Sequence, residues 1–596
     1  MSKLASLKAA DSLPSLAALL DFKASALAYL AYHKPQALKY REFRIPKRKG
    51  GVRLIKAPSS DLKLLQQRVS SLLQDCLDEI SERDRLLDLA LHGSKFRRFK
   101  GQASHGFVRG RGIISNARMH RNKRYVFNLD LSDFFGSINF GRVYGFLISD
   151  RDFLLHPKVA AVLAAIACNE NALPQGSPCS PVFSNLIGNI LDERLLNVAA
   201  RQGCTYSRYA DDLTFSTNLP EFPDCIARPS DDSGLVWEAG REIASIIERS
   251  GFLINPAKTR MQFRDSRQEV TGLVVNKRVN VRFEYRHTLR SMVHRLTTTG
   301  AFDLVRTVVD AAGNKTMRRE VGSLEELHGM LGFVDAIDIN DRKINPVFKP
   351  VGKQHRPTSK ETIYKRFLLF KEFYVNSRPV IICEGKTDYV YLLHALRSLS
   401  DNYPDLTERG ADGNVRLKVR LYRYPETSTG KILGISGGVG DLCKLMATYR
   451  AEAERFTAPG LRQPVIFVID NDQGRGPIFD QLVKIGLRRP SGNEVYIHAA
   501  LNLYVVLTPL GEGGRQTAIE DFFSPDVLST VVGGKRFDRG SDTDTETGYG
   551  KAVFADRVVR ANSGQIDFSR FALLFDRIQA VMVEHAGRVA ISDSGR

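Results

Sequence analysis

Two adjacent carboxylates, Asp211 and Asp212, sit at the centre of Tyr206-Ser207-Arg208-Tyr209-Ala210-Asp211-Asp212-Leu213-Thr214-Phe215-Ser216. Apolar and polar residues alternate on both sides of the pair, so the stretch reads as a β-hairpin with the acidic residues at its tip. Neighbouring carboxylates at a tight turn repel, and each raises the other's pKa unless a cation lies between them. A divalent metal meets that need. An ordinary acidic surface turn is the competing reading, and the flanking Tyr209 and Phe215 argue against it.

Other segments supply partners for such a centre. Tyr125-Val126-Phe127-Asn128-Leu129-Asp130 reads as a strand ending in a carboxylate, with Asp133-Phe134-Phe135 close behind. Leu173-Pro174-Gln175-Gly176-Ser177-Pro178-Cys179-Ser180-Pro181 is a rigid loop opening an apolar helix through Leu186, Ile187, Ile190 and Leu191. From Phe43 to Ile55 two apolar runs flank a basic Gly50-Gly51 turn, a cationic hairpin. Arg53 is its strongest phosphate candidate, because guanidinium pairs bidentately with phosphate, and Lys47 a weaker one. Leu62, Leu65, Val69, Leu72 and Leu73 mark the apolar face of a helix. Lys95-Phe96-Arg97-Arg98-Phe99-Lys100 interleaves cations with aromatics, which suits phosphate contact and base stacking, or a plain charged helix face. Phe222 to Gly234 is a polar insertion with no evident chemistry, and Gly251-Phe252-Leu253-Ile254-Asn255-Pro256-Ala257-Lys258-Thr259 presents a lysine at a turn.

In this order the segments resemble the motifs of reverse transcriptases. The resemblance implies a right-hand fold of fingers, palm and thumb, in which Asp130, Asp211 and Asp212 hold two magnesium ions. It places Arg53 and Gln175 on the incoming nucleotide and template, and makes Phe135 the ring that blocks a ribose 2′-hydroxyl. Lys258 becomes a proton donor to departing pyrophosphate. Asn116-Ala117-Arg118-Met119-His120 and Val270-Thr271-Gly272 match signatures of retron reverse transcriptases, strengthened by Ser104-His105-Gly106-Phe107 and Gly203-Cys204-Thr205. Asn116, His120, Val270, Thr271 and Gly272 are therefore RNA-binding candidates. Residues 1–276 are expected to form fingers and palm, and 277–345, with Leu324, Leu327, Leu331 and Phe333, the thumb.

Residues 346–377, which open Pro/Gly/Lys-rich, read as a linker to a second, α/β domain over 378–596. There Arg378-Pro379-Val380-Ile381-Ile382-Cys383-Glu384-Gly385-Lys386-Thr387-Asp388 is a buried strand ending in Glu-Gly. A P-loop reading of Gly385-Lys386-Thr387 fails, because Val380 stands where that loop needs a glycine. Pro464-Val465-Ile466-Phe467-Val468-Ile469-Asp470-Asn471-Asp472 repeats the design, which would cluster Glu384, Asp470 and Asp472 at the carboxyl edge of a parallel sheet. This half resembles the Toprim domain. The resemblance implies a nuclease with one or two magnesium ions, Ser436-Gly437-Gly438 as the loop between acidic motifs, a metal role for Glu520 and a charge-stabilising one for Lys551. Arg536 to Gly548 reads as a mobile loop. Topoisomerase chemistry lacks a strand-passage domain here, and primase machinery is not evident.

At 596 residues the chain is multidomain, α+β and α/β, and its 86 Lys plus Arg against 66 Asp plus Glu give +20, pointing to a polyanionic partner. No apolar run approaches the ~20 residues of a membrane span, and the N-terminus lacks a secretory signal, so a cytoplasmic protein without a membrane partner is expected. The seven cysteines form no Cys-x-x-Cys and read as buried thiols. Taken whole, the chain resembles retron reverse transcriptase-Toprim fusions. These copy a structured non-coding RNA into branched DNA from deoxynucleotide triphosphates, in anti-phage defence, with an effector held in check by the RNA-DNA product. Two rival readings are an intron-type reverse transcriptase and a catalytically silent nucleic-acid scaffold. A homo-oligomer is left open.

Overall fold

The computed structural model describes residues 2–46, 52–92, 103–231, 236–309, 315–344, 357–424, 428–540 and 548–594. The basic turn with Lys47 and the Lys95–Lys100 cluster lie outside them. The chain divides into two compact units, residues 1–285 with 307–316 and 336–349, and residues 286–306 with 317–335 and 350–596.

The first unit is built on an antiparallel sheet whose central strand is Tyr125–Ser132. One edge pairs with Asp212–Thr217 and, beyond it, Thr205–Tyr209; the other pairs with Leu253–Ile254 and Arg260–Phe263. The alternation around the acidic pair thus forms the expected hairpin. Helix Ser180–Arg201, started by Pro181 in its first turn, packs on the hairpin. The strands Tyr40–Pro46 and Val52–Pro58, expected in the fingers, pair with Ile45 opposite Arg53. Behind them helix Ser60–His92 buries Leu62, Leu65, Val69, Leu72 and Leu73, as their spacing predicts.

Three short N-terminal helices bury Leu7, Leu16 and Leu27 in the same core. No single helix among the described residues is long and apolar enough to cross a membrane. The bent pair Leu13–Leu19 and Ala24–His33 passes by length and composition, but it turns by 105° and has Leu16, Ala17, Leu27 and Leu30 buried. The insertion after residue 218 is part of the core too: Phe222 is buried, and strands Ala227–Pro229 and Trp237–Ala239 bring Trp237 edge-on to Phe222 and Phe263.

The second unit holds a five-stranded sheet in the order Arg420–Leu421, Val380–Cys383, Val465–Ile469, Leu503–Leu507, Ile497–Ala500. The first four strands run parallel and the last is antiparallel. Val380–Cys383, Val465–Ile469 and Leu503–Leu507 are buried along their whole length, which explains their unbroken apolar runs.

Two expected boundaries change. Residues 359–374, expected within a linker, form helix Ser359–Leu369 and a π-helical turn, with Phe367, Leu368, Leu369, Phe370 and Phe373 in the core; residues 345–356 lie outside the described ones. Much of the expected thumb belongs to the second unit. Thr457 donates its N–H to the Thr297 carbonyl at 3.1 Å, and the His328 ring meets those of Tyr364 and Phe367 at 5.8 Å. The apolar pattern of 324–333 does mark a helix, Leu324–Ile344, with Leu327 and Leu331 buried. The seven cysteines are free thiols, four of them buried.

Candidate active sites

In the first unit the pairing register sets Asp130 directly opposite Asp212. Ala210 turns the hairpin in the left-handed region, at φ +55°, and the Asp211 carbonyl accepts from the Leu131 N–H at 2.9 Å, so all three carboxylates meet at one end of the sheet. Lys258 Nζ donates to Asp130 Oδ2 at 2.7 Å and Asn255 Nδ2 to Asp130 Oδ1 at 3.2 Å. Burial and the nearby Asp130 push Asp211 up from the ordinary carboxylate range. Asp212 is open at the hairpin's edge, yet the protein around it and the Asp211 and Asp130 charges push it up to about 6. Lys258 is raised as well: burial pulls it down, but the carboxylates, Asp130 first, outweigh that and hold its proton on.

Hard oxygen donors with uncompensated repulsion suit a divalent cation such as magnesium. Among the described residues no three acidic, His or Cys side chains are already gathered closely enough to hold an ion, and Lys258 occupies one oxygen of Asp130 instead. The donor set fits a metal that displaces that ammonium.

A cleft of about 320 Å³ between strand Val52–Pro58 and the Pro-rich loop is lined by Arg53, Lys56, Asp133, Glu170 and Gln175. The Lys56 N–H donates to the Gln175 carbonyl at 2.8 Å, which docks the Pro-rich loop on strand Val52–Pro58. Arg53 is near enough to lower Asp211. Phe135 lies between two cleft residues, Asp133 and Gly136, with its ring 5.5 Å from Phe134 and 6.3 Å from Phe107.

The two retron signatures form one assembly behind the hairpin, and most of it is closed to RNA. Asn116 and His120 are wholly buried on helix Ile113–Met119 and its C-terminal cap. The His120 ring bridges Ser216 and Ser207 at 2.7 Å each, and the Ser207 hydroxyl donates to Asn116 at 2.5 Å. Val270 is also buried. All three side chains, named above as RNA-binding candidates, are buried in the free chain; the His120 ring and Asn116 Oδ1 tie the two hairpin strands to the helix. Thr271 and Gly272 form a two-residue turn, with Thr271 Oγ1 donating to the Ile113 carbonyl at 3.1 Å, and Gly272 stays exposed.

In the second unit Glu384 and Asp470 follow adjacent parallel strands. The Asp470 N–H donates to Glu384 Oε2 at 3.3 Å, and Ile519 N–H to Asp470 Oδ1 at 2.9 Å, which brings the turn Ile519–Phe522 and its buried Glu520 alongside. Lys551 Nζ is 2.8 Å from Glu520. Residues 541–547 lie outside the described ones, but Arg536–Phe537 pairs with Gly548–Tyr549 just before Lys551. Burial first, then the Asp388, Glu520 and Glu384 charges, push Asp470 up to about 8. Glu384 is raised by burial and by Asp472. Asp472 caps the next turn, accepting from the Gly474 N–H at 2.7 Å. The loop Ser436-Gly437-Gly438 lies at the same edge: Gly438, at φ +94°, donates its N–H to the Glu384 carbonyl and starts helix Val439–Ala453.

Sequence reasoning passed over two groups. Asp388, buried and pushed up to about 7 by burial and Glu520, accepts the Gly385 N–H on one oxygen and leaves the other unpartnered. The buried Arg208–Asp192 pair under the first hairpin was the other, signalled by a charged residue on the inward face of an alternating strand.

Comparison with known proteins fits this geometry. The family described as reverse transcriptase (RNA-dependent DNA polymerase) matches residues 45–283. The Retron Mx65 reverse transcriptase of Myxococcus xanthus is 34% identical over 300 residues, 47% of this chain and 62% of that protein. The Retron Mx162 enzyme of the same organism is 34% identical over 348 residues, 55% of this chain and 64% of that one. The chain thus spans slightly under two thirds of these relatives. The Retron Ec86 reverse transcriptase of Escherichia coli is 32% identical over 261 residues, 43% of this chain and 70% of that protein. A solved telomerase from Candida tropicalis superposes over 56% of this chain and 61% of that one at 12% identity with a TM-score of 0.29, too slight a likeness to argue from. On the extent and identity of the Ec86 match, the chain belongs to the retron reverse transcriptase family.

Proposed function

We propose that the first unit is the RNA-directed DNA polymerase of a retron, copying a structured non-coding RNA into branched DNA from deoxynucleotide triphosphates. The observation that carries this reading is the meeting of Asp130, Asp211 and Asp212, backed by Lys258, in a chain of this family. The three carboxylates would hold two magnesium ions, which when bound supply activation of the attacking hydroxyl and neutralise the triphosphate. Arg53 offers the cleft's cation to phosphate, Lys56 being paired with Glu42 and Glu170, and Gln175 lies on the loop that would meet template and nucleotide. Phe135, between the cleft residues Asp133 and Gly136, would be the ring that crowds a ribose 2′-hydroxyl. Lys258 keeps a proton at Nζ, available to departing pyrophosphate. Residues 277–345 would serve as thumb, although 286–306 and 317–335 of them pack in the second unit, and the Thr271–Gly272 turn, exposed at Gly272, remains an RNA-binding candidate.

The second unit we read as a Toprim-type nuclease, the effector restrained by the RNA-DNA product in phage defence. Glu384, Asp470 and Asp472 would hold its one or two magnesium ions, with Glu520 held ready by Lys551. Membership of the retron family sets the intron-type reading aside. A silent scaffold would keep two repelling carboxylate clusters only partly compensated by Lys258 and Lys551, which costs stability.

The test uses two variants of the full chain in one preparation. Asp211→Asn keeps the shape and removes the charge, so DNA synthesis is lost while RNA binding and phosphodiester cleavage persist. Glu384→Gln does the reverse. Near-normal extension by the folded Asp211→Asn protein refutes the polymerase assignment, and unchanged cleavage by Glu384→Gln refutes the nuclease.

A further inference from the structure

Arg208 is wholly buried directly beneath the acidic turn. Its Nε and Nη2 donate to the two oxygens of Asp192 at 2.9 and 2.7 Å, and Tyr206 OH adds a third bond to Asp192 at 2.8 Å. The remaining nitrogen, Nη1, donates to the Ala210 carbonyl at 3.2 Å and to Asn185 Oδ1 at 3.3 Å. Gly188 makes the room: a Cβ there would stand 2.8 Å from the guanidinium carbon. On the other side the guanidinium carbon is 5.8 Å from the centre of the Phe134 ring, next to Phe135.

A buried ion pair is weak evidence for stability, because an apolar pair of similar volume often serves as well. Its position suggests another use. Ala210 carries a Cβ yet sits at φ +55°, a conformation that needs outside support. The direction of its carbonyl sets the peptide plane leading into Asp211. The guanidinium grips that carbonyl, and the fork of Asp192 fixes the guanidinium.

We propose that Arg208, held by Asp192, is a positioning residue that sets the pitch of the Ala210–Asp211 peptide and so aims the Asp211 carboxylate at Asp130. The assignment rests on the polymerase reading of this site. Lysine cannot replace Arg208, because one ammonium lacks the planar fork that spans Asp192 and the Ala210 carbonyl together.

The test compares the parent chain with Arg208→Met/Asp192→Leu, which removes both charges at once, and with Arg208→Lys. Mn2+ binding is followed by electron paramagnetic resonance on protein without nucleic acid, with Asp211→Asn identifying the signal of this site. Primer extension and thermal melting are measured beside it. The double variant is expected to fold with a Tm lowered by the orphaned Tyr206 hydroxyl, to bind Mn2+ about tenfold more weakly, and to lose about 100-fold in kcat with the nucleotide KM little changed. Parental Mn2+ affinity and kcat in the folded double variant overturn the proposal. If that variant does not fold, Arg208→Lys decides: a weakened Mn2+ site supports the role, and a parental one overturns it. A parent that binds Mn2+ here but extends no primer fails the polymerase reading instead.

Discussion

Replacing Gly106 with alanine tests how closely the acidic turn is held. Gly106 does not need a left-handed backbone, so its lack of a side chain matters only through space. A Cβ built there lies 2.7 Å from the Ala210 nitrogen and 3.2 Å from the Tyr209 carbonyl carbon, both backbone atoms that no rotamer change can move aside. Opening 2.7 Å to the 3.4 Å of an ordinary contact displaces the turn by about 0.7 Å. Overpacking of this kind costs roughly 1–3 kcal/mol, and a displacement approaching 1 Å at a reacting centre costs on the order of 10²-fold in rate. We therefore expect Gly106→Ala to fold with a lowered Tm and to lose about 10- to 100-fold in single-turnover primer extension. Gly112→Ala is the control, since a Cβ there meets nothing within 4 Å and its backbone is extended. Single-turnover rates for Gly106→Ala within twofold of the parent would show that the turn tolerates the shift, and would refute the geometric reasoning.

Two further outcomes follow from single side chains. Shortening Phe135 to alanine is expected to reduce discrimination against ribonucleotides on the order of 10- to 100-fold while extension with deoxynucleotides falls less; an unchanged preference in direct competition refutes its role as a steric gate. His105 is buried with Nε2 unpartnered, and burial with Arg111 and Arg118 nearby pushes it down to about 4 from 6.5. The folded state then binds fewer protons than the unfolded one between those values, so stability is lost as pH falls from 6.5 through 4, by at most about 3 kcal/mol. His105→Gln should flatten that part of the curve in denaturant titrations across this window, and a curve as steep as the parent's contradicts the assignment.

Much of the first site was legible because its chemistry is local. The alternation of Tyr206 to Ser216 gives a hairpin whatever else the chain does, and Asp130 follows a run that can only be a buried strand. The retron signatures were legible as markers but not as parts. Asn116 and His120 look like polar surface groups in one dimension, and only the fold reveals that they meet Ser207 and Ser216, about 90 residues away. Arg208 shows the same limit. Its strand position turns it inward beside Tyr206, which demands a buried anion, but nothing in the local pattern selects Asp192 on the helix before it. The linker reading failed for a related reason: the polar composition of 345–362 was extended across Tyr364 to Tyr374, whose aromatic residues carry a helical core pattern of their own.

Both acidic clusters meet the same electrostatic problem, and both meet it with a lysine on one member only. In the first, Lys258 takes Asp130, the carboxylate on the central strand, and leaves Asp211 and Asp212 raised by burial and by their neighbours. In the second, Lys551 takes Glu520, and Asp388, Asp470 and Glu384 are raised in the same way. One ammonium against three or more carboxylates reduces the repulsion without cancelling it, so the chain can fold without an ion while the site stays short of positive charge. An arginine in either place would bind its carboxylate through two bonds and release it less readily. A lysine, a point charge on a flexible stem, can yield its oxygen to an arriving cation and stay nearby, as the proposed proton-donating role of Lys258 and the proposed charge-stabilising role of Lys551 would require.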